Sequence, residues 1–151
     1  MTFSTPKQIR FHHCDPAGIV FYPQFFYLLH EAQEDFLAHI GFPEHRMIEN
    51  GFGVPIVDLK TQFLGMCRNG EHITIELSLW KLGNASLGMD YEIHAAQEVA
   101  PAPDAATPTL RLKARSVVVY SQVPGGQPVR IPDALRQALT PYLQDNPTET
   151  P

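Results

Sequence analysis

The spacing of apolar residues changes once along this chain, and that change limits the fold more than any other feature. Phe25, Leu29, Ala32, Phe36 and Ile40 recur at intervals of three and four, which gathers them on one stripe of a helix. Gln24, Tyr27, Glu31, Glu34 and Asp35 fall mostly away from that stripe. Pro23 suits the first turn because it has no amide hydrogen to leave unpaired, and Gly41 followed by Phe42-Pro43 is a stop signal. Beyond the helix the period falls to two. Val57, Leu59, Thr61 and Phe63 form one alternating run, Ile73, Ile75, Leu77 and Leu79 a second, and Leu87, Met89, Tyr91 and Ile93 a third. Asn69-Gly70 and Gly83-Asn84 fit turns between them, so three antiparallel strands are expected in succession.

Residues 5 to 13 read as a first strand, with Ile9 and Phe11 alternating with Gln8 and Arg10. Leu110 to Tyr120, with its run Val117-Val118-Val119, reads as a last strand buried on both faces near its end. Between it and the third run, the Pro- and Ala-rich stretch 99–110 reads as an exposed loop. Pro132 opens a short helix carrying Leu135, Leu139 and Tyr142. One long helix with a single apolar face must bury that face against the strands. The economical arrangement is α+β: a curved antiparallel sheet wrapped around one long central helix. A single domain over residues 1–144 with a polar tail at 145–151 accounts for the chain. Such a sheet leaves an edge uncovered, which makes pairing with a second copy the expectation.

Sixteen acidic residues against eleven basic ones disfavour nonspecific binding to nucleic acid, whose affinity rests on Lys and Arg neutralising phosphates. Cys14 and Cys67 form neither a disulfide framework nor a thiolate metal motif. Cys14 beside Asp15 invites a thiol-nucleophile reading, but a small buried filler is the better one without a partner base. His12 and His13, as neighbours on a strand, would point to opposite faces, and with no HExxH spacing present no metal is expected. No apolar run approaches the roughly 20 residues that span a bilayer, and the N-terminus lacks a signal-peptide core. A soluble cytoplasmic protein with no membrane partner is the reading.

The sharpest constellation is Asp15-Pro16-Ala17-Gly18-Ile19-Val20-Phe21-Tyr22-Pro23, a carboxylate a few residues ahead of a helix start. A carboxylate can attack an activated acyl carbon or take a proton from water, and free amides at a helix start can stabilise an oxyanion. Gly18 would let the backbone approach a ligand. Asp15 has an equally physical alternative as a turn or capping residue. Phe21, Tyr22, Phe25 and Phe26 could line a flat pocket or pack the core, and His30 could border that pocket or be a partly exposed structural histidine.

The run DPAGIVFYPQFFYLLHEAQEDFLAHIGFP, followed by Gly51-Phe52-Gly53-Val54-Pro55-Ile56-Val57, resembles the 4-hydroxybenzoyl-coenzyme A thioesterase family of the hotdog fold. The resemblance covers most of the chain, and its specific part is Asp-Pro-Ala-Gly. It implies that Asp15 is the catalytic carboxylate and that the backbone amide of Tyr22 faces the thioester carbonyl. The substrate would be an acyl-CoA, with an aromatic acyl group favoured by the ring cluster. Coenzyme A would enter as part of the substrate, with no separate cofactor, and the assembly would be a homodimer or a tetramer of two dimers. A thioesterase for short acyl chains or for acyl carried by a protein is the nearest alternative, and a non-catalytic acyl-CoA-binding module the next. Where some relatives carry a basic run for the CoA phosphates, this chain reads Lys81-Leu82-Gly83-Asn84-Ala85-Ser86, with Lys81 its one cation. Arg68, Arg111, Lys113 and Arg115 are the other candidates for that role.

Overall fold

The computed structural model describes residues 1–96 and 109–145. Most of the expected loop at 99–110 and of the polar tail lies outside the described residues. In chain order come β1 (Phe3–Gln8), α1 (Tyr22–His39), α2 (Glu44–Glu49), β2 (Phe52–Gly53), β3 (Ile56–Phe63), β4 (His72–Leu82), β5 (Ser86–Ala95), β6 (Leu110–Val119), β7 (Ser121–Gln122) and α3 (Asp133–Leu139). Five strands form one antiparallel sheet in the order β1-β4-β5-β6-β3, while β2 and β7 pair separately. No helix among the described residues is long and apolar enough to cross a membrane.

Two periods meet in one core. From α1 come the buried Phe25, Leu28, Leu29, Ala32, Phe36 and Leu37, and Gly41 ends the helix at φ +89°. From the sheet come Ile73, Ile75, Leu77 and Leu79 of β4, Leu87, Met89, Tyr91 and Ile93 of β5, and Leu112, Ala114, Ser116 and Val118 of β6, all buried. Leu135, Leu139 and Tyr142 close the far end, with the Tyr142 ring 4.9 Å from that of Phe36. On the opposite face of the sheet Trp80 lies over Gly88, where a Cβ would fall 2.3 Å from the indole. The Arg115 guanidinium covers the same ring at 4.6 Å while holding Asp90 by two bonds of 2.7 Å.

Four expectations change. The first strand stops at Gln8, and a 3₁₀ turn occupies Phe11–His13 because the Arg10 N–H donates to His13 Nδ1 at 2.8 Å. His12 and His13 therefore lie against each other, their rings tilted with centroids 4.0 Å apart, instead of pointing to opposite faces. The run Ile56–Phe63 is a strand, but it does not form a hairpin with β4; it pairs with β6 at the opposite edge of the sheet. The Asn69-Gly70 turn instead leads from a crossover into β4, with Gly70 at φ +84°. Finally, Val117 and Val119 are half-buried, so the end of β6 is fully covered on one face only. The short α2, β2 and β7 were not expected; elements of two to six residues hold too few repeats for a period to register.

The crossover is held from β6. Leu64 and Gly65 donate to the Arg111 carbonyl at 2.9 and 3.1 Å, and the buried Arg111 guanidinium donates to Met66 O and meets Glu71 at 2.6 Å. Removing the carboxylate of a buried pair typically costs about 3 kcal/mol or more, since the remaining charge loses its compensation. Glu71→Ala should lower stability by about that amount in urea unfolding. A midpoint unchanged from the parent chain would mean that the pair does not secure the crossover.

Candidate active site

The crossover in turn holds the loop that carries Asp15. Val20 donates to Cys67 O at 2.9 Å, Asn69 donates to Gly18 O at 3.0 Å, and Ile19 bridges to Arg68. The loop also closes on itself, through Asp15 N–H to Ile19 O at 3.0 Å and Phe21 N–H to His13 O at 2.9 Å. Gly18 turns it at φ +76°, and no atom lies within 4 Å of where its Cβ would stand, so the glycine is required by conformation rather than by space. Asp15 and the start of α1 thus leave one neck.

Both roles considered for Asp15 find support here. Its Oδ1 accepts the Ala17 N–H at 2.8 Å, a local turn bond. Its Oδ2 accepts none from the described residues. Two residues past the neck, α1 begins without a side-chain cap, and no carbonyl among the described residues accepts the Tyr22 N–H. One carboxylate oxygen and one helix-start donor are therefore available to a ligand.

The expected aromatic cluster divides. Phe25 is buried in the core, Phe26 is half-buried, and Phe21 and Tyr22 are exposed to 50% and 60%. The ring that gathers them is Phe63 of β3, with centroids 6.3 Å from Tyr22, 5.9 Å from Phe25 and 6.5 Å from Phe26. Sequence reading placed Phe63 only in a strand; its half-exposed ring beside α1 depends on β3 lying at the edge. His30 stands at the rim of a crevice between α1 and the sheet, with Phe26, Leu29, Gln33, Ile56, Leu59, Tyr91 and Ser116 around it. It meets Glu34 at 3.0 Å and Glu44 at 3.7 Å. Burial raises the Glu44 carboxyl above its usual range, opposed by His30. Gln33 was passed over, although a glutamine on the apolar stripe beside Ala32 was a visible signal.

The cation candidates separate more sharply. Arg111 is committed to Glu71, Arg115 to Asp90 and Lys113 to Glu92 at 3.0 Å, so these three hold the fold. Arg68 is exposed and adjoins the Asp15 loop. Lys81 is exposed at the far end of β4, nine residues from His72, about 30 Å away at the rise of an extended strand. Within one chain it does not share a site with Asp15. A wider cleft of about 270 Å³ on the other side of the loop holds Lys7, Arg10, His12, His13 and Glu31. Three potential metal ligands come within 4.8 Å of one another at His30-Glu34-Glu44 and at Glu76-Glu92-His94, and neither place includes His12 or His13.

Residues 9–139 match the family model of the thioesterase-like superfamily, and the chain belongs to that family. It is a thioester hydrolase with the hotdog fold. It is 28% identical over 101 residues to the 1,4-dihydroxy-2-naphthoyl-CoA hydrolase of Synechocystis sp., covering 64% of this chain and 70% of that one. It is 34% identical over 73 residues to the 4-hydroxybenzoyl-CoA thioesterase of Pseudomonas sp. strain CBS-3, covering 46% and 52%. Among solved structures, the Synechocystis 1,4-dihydroxy-2-naphthoyl-CoA thioesterase superposes with a TM-score of 0.80 at 23% identity, over 97% of this chain and all of that one. The dynemicin thioesterase gives 0.83 at 22% identity with the same coverage.

Neither cysteine is set up as a nucleophile. Burial pushes the Cys67 thiol up to about 12 and also raises Cys14, with the Asp15 charge adding to the latter. At pH 8 the folded protein should leave Cys67 unmodified by iodoacetamide and label Cys14 slowly, whereas both should label in urea. Rapid native labelling of Cys67, read by mass spectrometry, would contradict its sealed position.

Proposed function

We propose that the chain hydrolyses an acyl-CoA, with an aromatic acyl group favoured, and that Asp15 and the Tyr22 amide carry the reaction. The single observation behind this is that, among the described residues, Asp15 Oδ2 has no donor and the N–H at the helix start that its pinned loop leads into has no acceptor. The thioester carbonyl oxygen accepts from Tyr22 N–H, which stabilises the charge that develops on it. Asp15 then either attacks the carbonyl carbon, expelling the CoA thiolate and leaving a mixed anhydride for water to open, or takes a proton from a water that attacks. Both routes end in free acid and CoA. No further cofactor is needed, since CoA arrives with the substrate. The relatives named for naphthoyl and hydroxybenzoyl esters, with the rings around Phe63, support the aromatic preference.

The active unit in this reading is at least a homodimer, with a tetramer formed from two such dimers. Among the described residues edge strand β3 has no partner on one side, and it presents Ile56, Val57, Leu59 and Phe63 at exposures of 36% to 62%. Light scattering should therefore report a mass of twice 16.9 kDa or more. A fully active monomer would refute the assembly.

Thiol release from a panel of acyl-CoA esters should give a higher kcat/KM for benzoyl- or naphthoyl-type esters than for chains of about twelve carbons or more, because only differential transition-state binding makes an enzyme selective. A long straight chain outperforming every aryl ester would overturn the aromatic preference. The amide can be tested directly, because Phe21 already has the extended ψ of 123° that a following proline demands. Tyr22→Ala keeps the N–H and should keep most of kcat. Tyr22→Pro removes it at a helix position that tolerates proline and should cost about 10²-fold or more. Equal rates for the two variants would remove the amide from the mechanism.

A further inference from the structure

One side chain anchors the stretch that carries the chain from β1 to Asp15. Ile9 is fixed at the start of this stretch, donating to Glu71 O and accepting from Gly70 N–H, both at 2.8 Å. Between Ile9 and Val20, His13 is the only buried residue, 6% exposed, while Arg10, Phe11 and His12 lie outside. Its Nδ1 accepts the Arg10 N–H at 2.8 Å, and the Arg10 carbonyl accepts the His13 N–H at 3.0 Å. The residue thus closes the turn with both its side chain and its main chain. A backbone N–H can only donate, so Nδ1 must be bare, and the hydrogen of the neutral ring sits on Nε2.

The same residue opens the neck of the Asp15 loop. His13 O accepts the Phe21 N–H at 2.9 Å, Cys14 bridges to Val20, and Asp15 N–H reaches Ile19 O at 3.0 Å. Asp15 follows His13 by two residues, and Tyr22 follows Phe21 by one. A turn of His13 therefore displaces both ends of the pair proposed to react. Its ring borders the cleft of about 270 Å³, which gives solvent protons a path to it. The charged and titratable groups around it are Arg10 and His12 of its own turn, Lys7 of β1 and Glu31 of α1, with Lys7 held by Glu31 and Asp35 at 3.3 and 2.9 Å. A proton on Nδ1 would set two hydrogens against each other and deprive the Arg10 N–H of its acceptor.

Resting on the hydrolase reading above, we infer that His13 is a positioning residue for Asp15: its bare Nδ1 holds the turn from which the Asp15 loop springs, and the loop keeps its working shape only while that nitrogen carries no proton. Burial lowers the imidazole below its usual range, His12 adds to this, Glu31 opposes it, and Arg10 lowers it further. The stability that the bare nitrogen contributes is therefore complete above the ordinary imidazole value of about 6.5 and is lost as pH falls through the lower value of the folded chain. Turnover follows the same course, so His13 contributes to the acid limb of the rate profile.

The test follows hydrolysis of benzoyl-CoA, or of whichever ester in the panel above is turned over fastest, from about pH 4.5 to 8. The parent chain, His13→Asn and His13→Leu are compared per folded molecule. Asparagine carries an acceptor oxygen where the imidazole has Nδ1 and does not titrate, whereas leucine fills the space without an acceptor. At the upper end of the range His13→Asn should keep kcat within about threefold of the parent, and His13→Leu should lose about tenfold or more with KM little changed. On acidification His13→Asn should hold its rate to lower pH than the parent. Superimposable acid limbs for these two chains, or a folded His13→Leu that turns over like the parent, would overturn the inference. Nuclear magnetic resonance of the parent chain supplies a readout independent of turnover and of either variant. The Ala17 and Phe21 amide signals should move with the midpoint at which the His13 ring titrates. Amides that stay still while the ring titrates would sink the inference and leave the hydrolase reading in place. Amides that move in a chain hydrolysing no ester of the panel would sink the hydrolase reading and keep the hold of His13 on the loop.

Discussion

The geometry of the site depends on a buried arginine. Arg111 reaches the crossover with both its main chain and its side chain, accepting from Leu64 and Gly65 and donating to Met66 and Glu71. Glu71 in turn accepts the Arg68 N–H at 2.9 Å, which ties the turn before β4 to the same pair. Residues 67 to 70 then hold Ile9, Gly18 and Val20 through main-chain bonds. Desolvation offsets much of the attraction in a buried ion pair, so its worth here is chiefly positional: it fixes one segment against the sheet. The Asp15 loop inherits its place from that segment, and the start of α1 follows two residues beyond the neck.

The consequence is that the pair proposed to react is built from neighbours in sequence but oriented by residues far from them. Asp15 and Tyr22 are seven positions apart, yet the atoms that fix their loop come from Cys67 and Asn69 and, behind these, from Arg111. Such an arrangement lets a small exposed loop hold a carboxylate with one oxygen engaged and the other without a donor among the described residues. In the proposed mechanism the turn bond from Ala17 is part of the device, because it orients the carboxylate assigned to the chemistry.

Legibility in the sequence followed the range of the interactions. The long helix, its glycine stop and the alternating faces of β4 and β5 rest on local periods and were readable. The position of β3 was not, since pairing with β6 instead of β4 is decided by contacts about fifty residues away that leave no trace in the run Ile56–Phe63 itself. The same error hid Phe63 as the ring against which Tyr22 and Phe26 pack. The roles of Arg111 and Arg115 were also invisible, because the difference between a phosphate ligand and a fold-holding cation lies in the carboxylates opposite, Glu71 and Asp90. Gln33 was readable in part: a polar residue on an apolar stripe announces a buried amide, but only the fold reveals that one end of it has no partner among the described residues.

The central claim is that the carboxylate of Asp15 acts on the thioester and does more than shape its loop. Asp15→Asn separates the two roles, because the carboxamide oxygen can still accept the Ala17 N–H while neither attack on carbon nor proton abstraction is open to it. Thermal unfolding and thioester hydrolysis should be measured on the same preparation of the variant. The expected result is a melting temperature and oligomer close to those of the parent chain with kcat reduced about 10²-fold or more. A variant that melts early yet turns over normally per folded molecule would make Asp15 a structural residue and contradict the mechanism.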